Sequence, residues 1–307
     1  MITLRAVETE ADVLTWLAIR ARIDPEHPIT RENFDDRRGE HGRVDLLGLL
    51  AGEPVGTAWT YLPYSSETSE FLDVNVRVVR EFRRRGVGTA LFGRVSEQAR
   101  SLGRKRLYIV TRFDDEEMLG YLGKRGFEEL TRMEDVALDL RDSSIEPEAP
   151  PGVEIVPVAP AYERGMYAVS LEADADVPSP DPFVPGSFER WRSHDLGPQV
   201  IRELSFVAIE SGDVIGWATL GGAHDGIAVN WMTGVARRAR GRGVARALKS
   251  HQIAAARAAG LRELRTQNDV ANAPMRRVNE KLGYRPRLTW IHLGGPLLDG
   301  ADVSRSV

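Results

Sequence analysis

Two short segments rich in arginine and glycine have residue types and spacings that could bind a phosphorylated ligand. Each contains two small residues separated by one position, so that the backbone can approach a ligand closely. Each leads into a segment with helical periodicity, whose first turn presents free N–H groups and the positive end of the helix dipole. Arginines at the rim add bidentate donors for phosphate. The predicted pyrophosphate loops are Arg83, Arg84, Arg85, Gly86, Val87, Gly88 and Thr89, and Arg240, Gly241, Arg242, Gly243, Val244, Ala245 and Arg246.

These segments differ from the two common nucleotide-binding motifs. The dinucleotide fingerprint needs three glycines in G-x-G-x-x-G and an acid about twenty residues later. The P-loop needs Gly-Lys-Ser/Thr, which follows neither segment. The shared pattern is R-x-x-G-x-G/A, which occurs twice at an offset of 157 positions, as in Arg83 and Arg240.

The same offset continues beyond the loops and indicates an internal duplication. It relates Met118 to Met275, Gly126 to Gly283, and Phe127 to Tyr284. Between the halves, residues 142–152 are rich in Pro, Ser and acids, which is typical of a linker. The predicted domains are therefore residues 1–141, a linker over 142–152, and residues 153–307.

Strand and helix patterns alternate in the same order in both halves, which predicts an α/β fold with a mixed sheet in each. A strand precedes each loop, a helix follows it, and a glycine ends that helix (Gly103 and Gly260). The strands expected to end each half are Asp135–Leu140 and Leu288–Leu293.

The two loops resemble the acyl-CoA pyrophosphate loop of the GNAT acetyltransferase superfamily. The segment Asn272–Tyr284 resembles the family's N-x-x-A/M…Y-x-x-x-G-F pattern, and Asp115–Phe127 is a looser copy. The resemblance covers nearly the whole chain and implies two tandem GNAT-type acyl-CoA N-acyltransferase domains. The layout resembles that of mycothiol synthase, in which one half is catalytic.

The resemblance implies acetyl-CoA as acyl donor and a set of residues that contact it. The strand before each loop would pair its backbone with the pantetheine arm, and an asparagine after the next strand would contact CoA. Asn272 is that asparagine and Asp115, an anion, is its counterpart, so the C-terminal half is expected to be catalytic and the N-terminal half a degenerate scaffold. Besides the loops, the implied CoA contacts are Val78, Val79, Val235, Ala236, Asn268 and Asn272.

The family often uses a tyrosine, one helical turn before the Gly-Phe pair, to protonate the leaving thiolate. The matching positions here are Leu122 and Asn279, while Tyr121 lies one residue early, about 100° round the helix. A base must also remove a proton from the attacking amine. The predicted catalytic residues are Asp225, Asn230 and Asn279, with Glu70, Asp73 and His224 as further base candidates.

Composition excludes several other classes of function. The net charge is −4, so no general basic field attracts nucleic acid. The sequence has no apolar run of about 18 residues, so no membrane span is expected. Cysteine is absent, which excludes thiolate nucleophiles and Cys-ligated zinc, and the scattered histidines predict no metal site. A cytoplasmic location is expected.

The acceptor remains open at this stage. A small-molecule amine is the leading expectation; the alternatives are a non-catalytic acyl-CoA sensor or scaffold and a protein-lysine acetyltransferase. The acidic segment Asp174–Trp191 lies where the family places acceptor loops, and it is equally typical of an exposed connector. Either a monomer or a homodimer is expected, because one half could replace the second protomer of a dimer.

Overall fold

The structure is a computed structural model that describes residues 1–25, 29–62, 69–177 and 183–298. The chain divides into two compact units. The first unit comprises Met1–Leu130 together with the chain from His292 onward, and the second unit comprises Thr131–Ile291. The described residues thus form two structural units, as the duplication predicts, although the units exchange segments of the chain.

The first unit consists of a mixed sheet with helices. Consecutive strands β1 to β4 pair antiparallel, and β4 pairs in parallel with β5. Its strands are β1 (Ile2–Ala6), β2 (Val44–Leu50), β3 (Glu53–Tyr61), β4 (Phe71–Val78) and β5 (Arg106–Arg112). Its helices are α1 (Glu10–Ile23), α2 (Arg31–Arg37), α3 (Val87–Ser101) and α4 (Glu116–Gly123).

The second unit repeats this order. Strands β7 to β10 pair antiparallel in sequence, and β10 pairs in parallel with β11. Its strands are β7 (Glu154–Pro157), β8 (Phe206–Glu210), β9 (Asp213–His224), β10 (Ile227–Val235) and β11 (Glu263–Asp269). Its helices are α5 (Glu163–Ala173), α6 (Phe188–Asp195), α7 (Val244–Ala258) and α8 (Ala273–Lys281).

Most of β6 and the end of β12 lie in the unit formed mainly by the other half. Strand β6 (Glu128–Asp139) pairs antiparallel with β11 of the second unit. Strand β12 (Arg285–Pro296) enters the first unit at His292, whose ring is hydrogen-bonded to the Tyr108 hydroxyl of β5. The sequence predicts both strands, with the shorter bounds Asp135–Leu140 and Leu288–Leu293. The alternation of apolar and polar residues does not show which strand will be the neighbour of each.

Close packing holds the helix after each loop against its sheet. A Cβ atom on Gly56 of β3 would lie 3.2 Å from the Leu91 side chain of α3. A Cβ atom on Gly216 of β9 would lie 3.3 Å from the Leu248 side chain of α7. These matching contacts fix α3 and α7 in equivalent positions, because neither interface has room for a side chain at the glycine.

The parallel pair in each unit separates part of the way along its length. The pairing of β4 with β5 ends at Val74 and Ile109, and the pairing of β10 with β11 ends at Val229 and Arg265. Beyond these residues the strands continue toward the loop without pairing with each other. The resulting opening between unpaired strand edges could accept an extended ligand.

Candidate functional site

Each predicted loop contains a glycine with a left-handed backbone at the N-cap of a helix, and the three loop residues after this glycine form the first turn of that helix. Gly86 has φ 85° before α3, and Gly243 has φ 86° before α7. The first helical bonds run from Ala90 N to Gly86 O (3.0 Å) and from Ala247 N to Gly243 O (2.9 Å). Among the described residues, no side chain caps either helix. The amides of the first helical turn are therefore available to an anion.

A cavity of about 580 Å³ in the first unit lies at the first of these helix starts. Loop residues Arg84 and Gly86, the first turn of α3, strand β4 and helix α4 all contribute to its wall. Basic side chains outnumber acidic ones in the lining, which favours an anionic ligand. The basic residues are Arg77, Arg83, Arg84, Lys124 and Arg125, and the acidic ones are Asp115, Glu116 and Glu117.

The first arginine of each loop clamps the loop to its own strand. Arg83 donates from Nε to Val78 O (3.2 Å), and Arg240 donates from Nε to Val235 O (3.0 Å). Arg83 also pairs with Glu117 at 2.9 Å. Each arginine thus bonds to the strand before its own loop, and its predicted role in binding phosphate stays a prediction.

In the second unit an acid from the predicted acceptor segment completes this clamp. Asp176 pairs with Arg237 (2.7 Å) and with Arg240 (2.6 Å). Hydrogen bonds from these two arginines hold the pKa of Asp176 well below its usual range. Burial, followed by the nearby Asp195, raises the pKa of Asp174 to about 7. Residues 178–182 of the acidic segment lie outside the described residues.

The other loop arginines have different surroundings. Arg84 has φ 61°, a left-handed conformation, and lines the cavity, while its counterpart Gly241 has φ 74°. Arg85 lies over the Phe82 ring at 5.6 Å. The two remaining arginines of the second loop form ion pairs, Arg242 with Glu210 and Arg246 with Glu148.

Only part of each predicted pantetheine-binding strand is open. Val78 lines the cavity. The next residue, Val79, is buried and donates its N–H to Val55 O (2.9 Å), and its counterpart Ala236 donates to Ile215 O (2.9 Å). The N–H groups of Val79 and Ala236 are therefore already bonded to the protein.

Asp115 and Asn272 both cap the N-terminus of the helix that follows them, although the sequence suggested different roles for them. Asp115 Oδ1 accepts from Met118 N (3.1 Å) at the start of α4, and Asn272 Oδ1 accepts from Met275 N (3.3 Å) at the start of α8. Asp115 also lies 3.7 Å from Arg83, which offsets its charge. The contrast between them therefore gives little reason to prefer either half.

Tyr121, placed one residue early by the sequence pattern, nevertheless lines the first cavity. Its hydroxyl lies 3.3 Å from Thr89 Oγ1, and its ring stacks on Phe92 with the centroids 5.4 Å apart. Phe92 is the aromatic residue of α3 on which Tyr121 of α4 stacks. The presence of Phe92 in the sequence could have indicated that Tyr121 faces α3.

The strand opening differs between the units at one pair of equivalent positions. In the first unit Arg77 donates to Val110 O of β5 (2.8 Å), so that its side chain bridges the opening. The second unit has Gly234 at this position. In addition, β10 has a register irregularity between Asn230 and Met232, which leaves Trp231 39% exposed. Such irregularities redirect backbone groups and are frequent beside binding sites.

Asn230, a predicted catalytic residue, is the centre of a buried hydrogen-bond network in the second unit. Its Oδ1 accepts from Lys249 Nζ at 2.5 Å, and its Nδ2 donates to Gln252 Oε1 at 2.9 Å. Thr266 Oγ1 donates to the Asn230 carbonyl at 3.0 Å. Burial lowers the pKa of Lys249 to about 7. Lys249 was not among the predicted site residues, because a lysine in a helix is usually solvated.

The other predicted catalytic residues occupy different environments. Asn279 is 2% exposed on α8. Asp225 lies in the exposed β9–β10 turn with φ 49°, and its carboxylate is 3.4 Å from His224. This turn is at the end of β10 opposite the loop, so the structure does not bring Asp225 together with Asn230 and Asn279. Glu70 is paired with Arg106 at 3.4 Å.

The described residues contain no group of three or more histidine, aspartate or glutamate side chains arranged to hold a metal ion. No helix among them is long and apolar enough to cross a membrane.

Comparison with known proteins agrees with the resemblance seen in the sequence. The model of the Acetyltransferase (GNAT) family matches residues 11–127 and again residues 169–284. No functionally curated protein matches the chain in sequence.

Solved structures of similar fold include a GCN5-related N-acetyltransferase from Sphaerobacter thermophilus, with a TM-score of 0.78 and 22% identity over 97% of this chain and 96% of that one. A tandem GNAT protein from the clavulanic acid biosynthesis pathway has a TM-score of 0.76 and 19% identity, over 98% of this chain and 100% of its own. At these identities the structures show the fold alone. The family model matches most of the chain, in two copies, and the chain therefore belongs to the GNAT acetyltransferase family as a tandem GNAT protein.

Proposed function

We propose that this protein is an acetyl-CoA-dependent N-acetyltransferase that acetylates the amine of a small molecule by direct attack. The observation that carries this proposal is the pair of left-handed glycines, Gly86 and Gly243, at helix starts that no described side chain caps. In the first unit such a start opens onto a cavity of about 580 Å³ with an excess of basic side chains. This arrangement fits a pyrophosphate attached to an extended arm.

Within this proposal the chain's own residues bind and orient the donor. The free amides following Gly86 and Gly243 hold the phosphates, while Arg83 and Arg240 keep the loops in shape. The unpaired edges of β4 and β10 accept the arm as a further strand would. When bound, acetyl-CoA supplies an activated acyl thioester. In the second unit, Asn268 and Asn272 remain residues that we predict to contact CoA.

We assign transfer to the second unit, as the sequence analysis expects. Arg77 bridges the strand opening of the first unit, whereas Gly234 has no side chain at the equivalent position. Gly234 therefore leaves the strand opening of the second unit free for the donor arm at a point where Arg77 crosses that of the first unit. The first unit then acts as a donor-binding scaffold. Asn230 and Asn279 remain the proposed catalytic residues, and Asp225 is the weakest of the three because of its exposed turn.

One observation favours a second candidate function, an acyl-CoA-binding sensor or scaffold without turnover. The family's tyrosine position holds Leu122 in the first half and Asn279 in the second, and both side chains are buried. Neither can donate a proton as a phenol does. A sensor would bind the donor and release no thiol.

The proposal extends to partners and location. A net charge of −4 favours a small cationic amine over nucleic acid as the partner. We also propose that the protein has no membrane partner, is cytoplasmic and acts as a monomer or homodimer.

The test measures free CoA thiol and acetylated amine from the same reaction with a panel of small primary amines. Gly88→Glu and Ala245→Glu place an anion at equivalent helical positions beside the two loops, and Gly88→Ala and Ala245→Gly are the matched neutral controls. We expect Ala245→Glu to lower turnover at least about 100-fold, because an anion opposes phosphate binding, and Gly88→Glu to lower it much less. Thiol release without acetylated amine, or no release by the wild type, would contradict the proposed function.

A further inference from the structure

The interior of the second unit contains polar side chains that the protein itself does not satisfy. Among the described residues, the buried atoms without a hydrogen-bond partner include Gln252 Nε2, Asn268 Nδ2, and both amide atoms of Asn279. These three residues are 1%, 5% and 2% exposed. Buried amide groups are nearly always paired in native proteins, so a cluster of exceptions requires an explanation.

These groups converge on one buried lysine. Asn230 Oδ1 accepts a hydrogen bond from Lys249 Nζ, and Asn230 Nδ2 donates to Gln252 Oε1. Gln252 Nε2 has no partner. The Lys249 ammonium lies 5.3 Å from the centre of the Tyr284 ring, and Tyr284 N donates to Asn279 O at 3.0 Å. Lys249 and Gln252 therefore share Asn230 as a partner, and Asn279 is joined through the backbone to Tyr284, whose ring lies beside the Lys249 ammonium.

The cluster lies where β10 and β11 separate. Thr266 Oγ1 of β11 donates to the carbonyl of Asn230, the first residue of β10 beyond the parallel pairing. Asn268 lies on the same face of β11 as Thr266, two residues closer to the open end. The strand opening of the second unit therefore closes at Asn230, whose side chain bonds to Lys249 and Gln252.

Charge indicates what such a group must be. The unpartnered atoms are mostly N–H donors, and the Lys249 ammonium adds donors beyond the one directed at Asn230. No carboxylate of the described residues is hydrogen-bonded or ion-paired to Lys249, and burial alone lowers its pKa. The groups around Lys249 therefore offer more hydrogen-bond donors than acceptors, together with a positive charge. A carboxylate would complement them, because it carries a negative charge and accepts hydrogen bonds.

The first unit has no such arrangement at the equivalent positions. Phe92, Val95 and Leu122 stand where the second unit has Lys249, Gln252 and Asn279. All three are buried, and Phe92 lines the cavity of that unit. The same frame therefore accommodates an apolar interior, so the polar cluster is specific to the second unit.

We propose that the Lys249 cluster is a carboxylate-binding site that selects substrates of the second unit. The inference rests on the proposed function for the location of the site beside the donor opening. The carboxylate could belong to the acyl group of the donor or to the acceptor amine. Both sources share the same chemistry at Lys249, and the experiment separates them.

Calorimetric titrations use full-length protein carrying Gly88→Glu, so that the second unit dominates binding. The donor arm compares succinyl-CoA with butyryl-CoA, which has a methyl group in place of the carboxylate. The acceptor arm compares 4-aminobutyrate with butylamine, matched in the same way, in the presence of CoA. We expect the carboxylate ligand of one arm to bind at least about tenfold more tightly than its methyl partner, as a buried charged hydrogen bond provides.

Variants test whether Lys249 is responsible. Lys249→Met should abolish the preference, and Asn279→Leu, which introduces the residue of the first unit, should weaken it. Lys281→Met, at an exposed lysine on α8, is the matched control and should retain it. Thermal unfolding checks that each variant is folded, and Asn279→Leu provides the test if Lys249→Met does not fold.

Two results would overturn the inference: no carboxylate preference in either arm, or a preference that persists in both Lys249→Met and Asn279→Leu. Equal binding of succinyl-CoA and butyryl-CoA, with no preference in the acceptor arm, overturns the carboxylate site and leaves the proposed function intact. Failure of every acyl-CoA to bind the wild type contradicts the proposed function, and the acceptor arm, repeated without CoA, still decides the carboxylate site.

Discussion

The two units share a frame but differ in their interiors. In both, a left-handed glycine begins the helix after the loop, an arginine clamps that loop to its strand, and an Asp or Asn caps the next helix. Inside the frame, Phe92 and Leu122 of the first unit correspond to Lys249 and Asn279 of the second.

This difference shows which features the duplicated fold retains and which it can change. The frame consists of backbone geometry and short-range hydrogen bonds, which the fold needs in both copies. The interior of the second unit buries polar groups whose desolvation costs about 1–3 kcal/mol for each unsatisfied atom. A cost of that kind, at positions that Phe92, Val95 and Leu122 occupy in the first copy, is typical of a binding site.

The largest expected effect on stability comes from the centre of the polar network. Asn230→Ala leaves Lys249, Gln252 and Thr233 without their partner. We expect the free energy of unfolding to fall by about 2–4 kcal/mol, because several buried groups lose hydrogen bonds at once. Urea unfolding measures this change.

Val74→Ala, at the position of the first unit that the strand pairing makes equivalent, is the comparison for Asn230→Ala. It removes two buried methyl groups without unpairing a polar group and should cost about 1–2 kcal/mol, less than Asn230→Ala. Equal losses for the two variants would show that the interiors do not differ as described.

A second prediction uses the protonation of Lys249. Its pKa falls from 10.5 to about 7 on folding, so the folded state binds fewer protons than the unfolded state between these values. Wild-type stability should therefore rise with pH through this window, and Lys249→Met should lack that rise.

Urea unfolding at about pH 7 and about pH 9 tests this dependence. Lys249→Met should be the more stable protein at the lower pH, and its advantage should shrink at the higher pH. The exposed Lys281→Met is the control. A wild-type advantage over Lys249→Met that grows as the pH falls would contradict the sign of the shift.

The smallest effect is expected where the two units are structurally alike. Asp and Asn are almost equal helix caps, so Asp115→Asn and Asn272→Asp should each change stability by less than about 0.5 kcal/mol. Acetyl-CoA affinity should change by less than about threefold for Asp115→Asn, because Arg83 already offsets the charge of Asp115. A large loss from Asn272→Asp alone would restore the distinction that the sequence suggested.

Much of the frame could be predicted from the sequence, because local signals determine it. The spacing of Gly86 and Gly88 identifies the first loop, and Gly103 and Gly260 end the helices with the expected left-handed conformation. The family assignment follows from the same residues and is confirmed by the two matches of the family model. These features depend on residues that are close in the chain.

The remaining features depend on contacts between distant residues. The alternating pattern of β6 does not show that it pairs with β11, whose residues are more than a hundred positions away. The pattern of α7 gives no sign that Lys249 is buried, because its partner Asn230 lies on another element. Arg83 and Arg240 were predicted to bind phosphate, and the clamp they form becomes visible only when the strand carbonyls are placed.

The most direct test of the account is a calorimetric titration of acetyl-CoA into the wild type, Gly86→Glu and Gly243→Glu. The strain controls are Gly52→Glu and Gly212→Glu, at left-handed glycines (φ 88° and 87°) with no atom within 4 Å of an added Cβ.

We predict that the wild type binds acetyl-CoA, that each loop variant loses the binding of its own unit, and that both strain controls retain it. Absence of binding by the wild type, or equal losses from loop variants and strain controls, would contradict the assignment of the loops as acyl-CoA sites.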